Sequence, residues 1–152
     1  MNGAQLHLLL NHLPIFTPVF GLTIFSLGFF LKQPKYLELA LWFFVFGGLF
    51  AVPTYLSGES AEKVVKNYPV MSQNWLNEHE EMAVKALTLS LTLSVASSLL
   101  LFILRKGKKI PNLAWSALAL VALFTFALFL QTAHYGGQVV HEEIRKGEFS
   151  NE

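Results

Sequence analysis

Histidine is the residue type in this chain best suited to carry chemistry, and it occurs five times with no cysteine beside it. The histidines stand in "LHLLLNHLPIF" (residues 6–16), "NEHEEMA" (77–83) and "QTAHYGGQVVHEE" (131–143), as His7, His12, His79, His134 and His141. Neutral imidazole is the commonest metal ligand, and two imidazoles can clamp a haem iron from both sides. Without Cys there is no thiolate site and no covalent c-type haem attachment. There is also no Asp, so the carboxylates adjoining the histidines are glutamates: Glu59, Glu80 and Glu142. Mixed His/Glu shells suit zinc, manganese or non-haem iron. Haem and bare-metal chemistries both remain open on this donor set.

The elements that must position these side chains are set by hydropathy. The chain has 152 residues, 53% of them hydrophobic, and a mean hydropathy of +0.47. Four apolar runs, roughly 13–31, 37–56, 84–104 and 113–133, are each long enough at 1.5 Å per residue to cross a hydrocarbon core of about 30 Å. Backbone amides in lipid must be satisfied within the segment, which makes the runs helices. "TLSLTLS" (88–94) alternates like a strand, but the unbroken length of 84–104 overrides it. The expected class is an all-α, integral membrane four-helix bundle forming a single domain over 1–152. "MNGAQLHLLL" has no Lys or Arg before its apolar run, so no cleaved signal peptide is expected. Nothing in the charge pattern calls for nucleic acid. The lipid bilayer is the first partner, in a multi-pass protein of the bacterial inner membrane.

Charge asymmetry orients the bundle. Lys32, Lys35, Arg105, Lys106, Lys108 and Lys109 fall in the two short loops after the first and third runs, with only Glu38 nearby. Short Lys/Arg-rich loops stay cytoplasmic, so both termini and the 57–81 segment are expected on the outer, periplasmic side. Counting from Lys32 at 1.5 Å per residue, His12 lies about 30 Å up the first helix, and His79 and His134 lie at a similar or greater height on the third and fourth. All five histidines therefore share the outer boundary, three helices contribute one each, and Glu59 arrives there from the second. A histidine also suits a membrane interface as an anchor, and His7 reads most simply that way. Glu78, Glu80 and Glu81 read as anions favoured at a helix start.

His12, His79 and His134 stand out as a shared site. Gly136 and Gly137 leave room beside His134 for a flat ligand. Lys85 either snorkels to headgroups or pairs with a haem propionate. His134 and His141, seven residues apart, share a face about 10–11 Å apart on an unbroken helix, too far to bind one ion from the same side. Ser90, Ser94 and Ser97 read as close helix packing. No histidine lies in the inner half of any helix, so a pair of haems relaying electrons across the bilayer is not expected.

At "NHLPIF" (11–16), "SGE" (57–59), "HEEMA" (79–83) and "TAHYGGQVVHEE" (132–143), the chain resembles a bacterial family of small four-helix membrane proteins catalogued as a domain of unknown function. In that family a His-x-Pro opens helix one, a Gly closes helix two and a His opens helix three. Helix four ends in Gly/Thr-x-His-x-Gly-Gly followed by another His. Some members are fused to c-type cytochrome domains, and the family's histidines are taken as haem ligands. The resemblance implies His12, His79, His134 and His141 as ligands. The glutamates Glu59, Glu80 and Glu142 depart from the pattern.

The sequence therefore predicts a small b-type cytochrome that carries haem b on histidines and exchanges electrons at the outer face. The partner expected there is a quinone, a soluble cytochrome or a respiratory subunit. The alternative is a non-haem protein, a metal-binding module or an enzyme, holding Zn, Fe, Mn or Cu in a His/Glu site that adds His7, Glu59, Glu80 and Glu142. A third reading is a structural subunit without redox work. No catalytic residue is assigned.

Overall fold

The structure, a computed structural model, describes residues 2–145. Helices α1 (Gly3–Leu10), α2 (Leu13–Phe30), α3 (Pro34–Val65), α4 (Gln73–Arg105) and α5 (Asn112–Val140) precede a 3₁₀ turn at Glu142–Ile144. There is no strand among the described residues. Four segments are long and apolar enough to cross a membrane: α1 with α2, then α3, α4 and α5. They form an antiparallel ring in which α2 packs on α3 and α5, α4 packs on α3 and α5, and α1 lies against α3. The turns at 31–33 and 106–111 mark one end of the bundle, the basic end. The first and last described residues and the 66–72 loop mark the other, the terminal end.

Outward-facing side chains such as Phe20, Phe30, Leu113 and Leu123 are more than half exposed, the arrangement that lipid rewards and water penalises. Inside, Phe25, Leu41, Phe44, Leu93, Leu101 and Leu118 fill the half nearer the basic end. Close approach between helices depends on small residues. A Cβ on Gly48 would stand 2.5 Å from Ser94 Cβ, and one on Gly47 would stand 2.7 Å from Thr17 Oγ1. Ser90, Ser94 and Ser97 are all buried, and Ser94 donates to the Val45 carbonyl at 3.1 Å. Toward the terminal end the core thins to Ala51, Ala86 and Phe129.

Two features differ from the hydropathy reading. The 57–81 segment is not a loop: α3 continues to Val65 and α4 begins at Gln73. His79 consequently sits in the second turn of α4 rather than at its start. The first span forms α2 where expected, but a further helix, α1, precedes it across a break. Pro14 has no N–H to give the Leu10 carbonyl, so the helix yields at Asn11–His12, and the Thr54 hydroxyl, shared with the Phe50 carbonyl at 2.8 Å, reaches that carbonyl at 3.2 Å. Pro18 frees the Pro14 carbonyl in the same way, and Thr17 Oγ1 takes it at 3.3 Å. The break lets α1 lie along α3, where Gly3 meets Ser60 so closely that a Cβ would fall 2.5 Å from Ser60 Cβ.

The two basic-end turns close alike. Gln33 N–H donates to the Gly28 carbonyl at 2.9 Å, and Lys108 N–H to the Ile103 carbonyl at 3.3 Å. The residue within each turn is left-handed, Lys32 at φ 52° and Gly107 at φ 69°. Gly107 takes that conformation without strain, whereas Lys32 does so against the preference of a residue with a Cβ.

Candidate cofactor site

Where the core thins, a cavity of about 1020 Å³ opens at the terminal end. Each helix presents one stripe to it. From α1 come Ala4, His7, Leu8 and Asn11, from α4 Leu76, His79, Glu80 and Ala83, and from α5 Phe129, Thr132, Ala133, Gly136, Gly137 and Val140. Helix α3 adds Ala51, Thr54, Tyr55, Gly58, Glu59 and Glu62. The walls are mostly apolar, and the volume reaches the upper end of ligand-site sizes.

Two imidazoles, His7 and His79, meet here edge-on, with ring centres 6.3 Å apart and planes at 86°. Both are fixed through Nδ1. His79 Nδ1 lies 2.8 Å from the Thr132 carbonyl on α5. His7 Nδ1 lies 3.1 Å from the Thr54 carbonyl and 2.9 Å from Ser57 Oγ. A carbonyl only accepts, so the proton on each ring belongs to Nδ1. Ser57 spends its own proton on the Thr54 carbonyl at 2.7 Å and so accepts from His7. Both rings are thereby held in the tautomer whose Nε2 carries a bare lone pair. That outer-sphere anchoring is the usual company of a ligating histidine.

Glycine shapes the pair. A Cβ on Gly136 would come within 3.0 Å of His79 Cε1 and Nδ1, and one on Gly137 within 3.2 Å of Ile144 Cδ1. The clearance expected for a flat ligand is thus occupied by His79 itself and by Ile144. Helix α5 runs unbroken through both glycines to Val140.

The other expected residues are placed differently. His12 lines the cavity, but its Nδ1 faces the Leu8 carbonyl of its own segment at 3.1 Å and its ring is exposed beside Phe16. His134 is exposed, neighbours Tyr135 and does not line the cavity. His141 caps α5 at the cavity edge, with Nδ1 2.8 Å from Glu143 Oε1. That bond, together with the backbone N–H of Glu143 itself, which is the larger influence, lowers the Glu143 carboxyl below its usual range. Lys85 is exposed and pairs with Glu81 at 2.5 Å. Glu59 pairs with Lys63 at 2.7 Å, Glu62 with Lys66 at 2.5 Å, and Glu142 stands 3.9 Å from Arg145. His7, read from the sequence as an anchor, is the residue that meets His79.

Among the described residues no group of three or more His or Glu side chains converges closely enough to hold a metal ion. Against protein-family models, curated proteins and solved structures, the chain matches none.

Proposed function

We propose that this is a small b-type cytochrome of the bacterial inner membrane, with haem held between His7 and His79. The observation that carries the proposal is the adjacent pair of imidazoles, each with Nδ1 committed to a carbonyl and Nε2 left bare, in a cavity large enough for a macrocycle. A haem iron takes four ligands from its porphyrin and needs only one or two from the protein. Zinc or non-haem iron needs three or four, and the pair has no third partner among the described residues. The two rings lie close together, with centres 6.3 Å apart, so one bound group would reach both.

The carboxylates at the rim are offset: Glu59, Glu62 and Glu81 each hold a lysine four residues on. When bound, haem supplies one-electron transfer. The protein's part is to fix both rings through Thr54, Ser57 and Thr132, to wall the cavity with apolar side chains, and to keep water from its floor at Ala51, Ala86 and Phe129.

Purified from membranes, the protein is expected to show a Soret band and a reduced-minus-oxidised α-band. A protein that carries iron, zinc, manganese or copper without a haem spectrum would overturn the reading in favour of a bare-metal site.

The Lys/Arg-rich turns orient the site toward the periplasm, where a quinone headgroup, a soluble cytochrome or a partner subunit would exchange electrons with it. Reporter fusions at residue 107 and at the C-terminus are expected to be active in the cytoplasm and in the periplasm respectively. The reverse pattern would move the site to the other side of the membrane.

A further inference from the structure

We infer a binding site for an anionic diacyl phospholipid at the basic end, between α3 and α4, independent of the cofactor. A groove of about 220 Å³ opens there, lined by Trp42, Ser98, Leu101, Phe102 and Arg105. Its body is apolar and its rim is cationic. The Arg105 guanidinium lies 5.7 Å from the Trp42 ring centre, and Lys106 Nζ lies 4.5 Å from that of Phe102. Both side chains are exposed, and each lies against an aromatic ring that lines the groove. Neither has an ion-pair partner among those resolved in the structure. Lys108 and Lys109 follow within the same turn, Lys32 stands in the neighbouring one and Lys35 in the first turn of α3, and among the described residues Glu38 is the lone acid at this end.

That combination selects the occupant. Close packing of another membrane helix is favoured by small residues at the contact, whereas this groove is walled mainly by Trp42, Leu101 and Phe102, and a free anion needs no apolar trough. A phospholipid uses both: an acyl chain along Trp42, Leu101 and Phe102, and a phosphate at Arg105 and Lys106. A zwitterionic headgroup brings its own ammonium to the same place, so the net charge of the rim favours an anionic one.

Fluorescence quenching tests the site. Trp75→Phe and Trp115→Phe leave Trp42 as the single tryptophan, and bromine on the acyl chains quenches it on contact. The protein is reconstituted in phosphatidylcholine with either brominated phosphatidylglycerol or brominated phosphatidylcholine, with unbrominated lipid as the intensity reference. Relative association with Trp42 is expected to be about fivefold stronger for phosphatidylglycerol, the factor set by one cationic contact near the surface. Arg105→Gln is expected to remove most of that preference and Arg105→Lys to keep most of it. Lys108→Gln with Lys109→Gln is expected to leave it largely unchanged. Equal quenching by the two lipids overturns the proposal. So does a preference that the Lys108/Lys109 variant loses as fully as Arg105→Gln, since that behaviour belongs to diffuse surface charge. Circular dichroism confirms that each variant remains helical, and if Arg105→Gln does not fold, the Arg105→Lys and Lys108/Lys109 variants still decide the matter.

Discussion

Alanine at His79 is expected to leave the purified protein with at least about tenfold less haem than the wild type, given that even outer-sphere partners of a ligand are worth about 10–100-fold. His79 supplies one bare Nε2 and also ties α4 to α5 through the Thr132 carbonyl. Alanine at His7 is expected to cost as much, because the second bare nitrogen disappears and the Thr54 and Ser57 partners are left to water. His12→Ala and His134→Ala are expected to keep near wild-type content, since His12 is engaged with the Leu8 carbonyl and His134 lies outside the cavity. Haem per protein is read from the pyridine haemochrome, with helicity as the control for folding. Added imidazole is expected to restore the haem spectrum of the His7 and His79 variants, which distinguishes a missing ligand from a collapsed site. Loss in the His12, His79 and His134 variants with none in the His7 variant would return the ligand set to the one the sequence resemblance implies and sink the His7–His79 assignment.

Why the sequence pointed to His134 and passed over His7 has a geometric answer. The α5 stripe on the cavity is Phe129, Thr132, Ala133, Gly136, Gly137 and Val140, a 3.6-residue repeat. His134 is one residue off it, about 100° around the helix. Counting depth along a helix fixes height and says nothing of azimuth. Conversely Ala4, His7, Leu8 and Asn11 already have the spacing of one helix face, so His7 could have been found from periodicity. It was hidden because hydropathy alone starts the first span at residue 13. The same limit explains the shortened loop. Hydropathy marks where lipid ends, whereas the helices continue on Glu59–Lys63, Glu62–Lys66 and Glu81–Lys85, each the favoured Glu-to-Lys order at four residues. The four spans and the gathering of histidines at one end were legible because burial cost in lipid is severe. The carbonyl anchors were not, because every residue has a carbonyl and only the fold decides which one a ring meets.

The second large effect is expected at Arg145, which lies just beyond the elements hydropathy identifies. It is 7% exposed, and its Nε donates to the Gln138 carbonyl at 2.8 Å while a terminal nitrogen donates to the Val139 carbonyl at 2.8 Å and the Val70 carbonyl at 2.6 Å. The first two are carbonyls at the end of α5, where the helix offers no further N–H and the dipole favours a cation. The third belongs to the 66–72 loop, which also reaches α5 through Ser72 N–H to the Val139 carbonyl at 3.0 Å. One guanidinium therefore fastens the α3–α4 connection to the wall that carries Gly136 and Thr132. Charged hydrogen bonds are worth about 1.5–3 kcal/mol each and are not additive, so Arg145→Ala is expected to cost about 2–4 kcal/mol locally. The cost falls on opening of the terminal end rather than on the lipid-embedded core. Limited proteolysis in detergent measures it: where opening is fast relative to cleavage, the rate in the 66–72 loop follows the open population and is expected to rise on the order of a hundredfold. Arg145→Lys keeps the charge but loses the planar fork, and its rate is expected to fall between the two. Glu142→Gln is expected to change little, because its carboxylate is half exposed and 3.9 Å from the guanidinium. Cleavage of Arg145→Ala at the wild-type rate would mean that the loop is held by its own backbone bonds, and that the buried arginine plays no part in closing the cavity end.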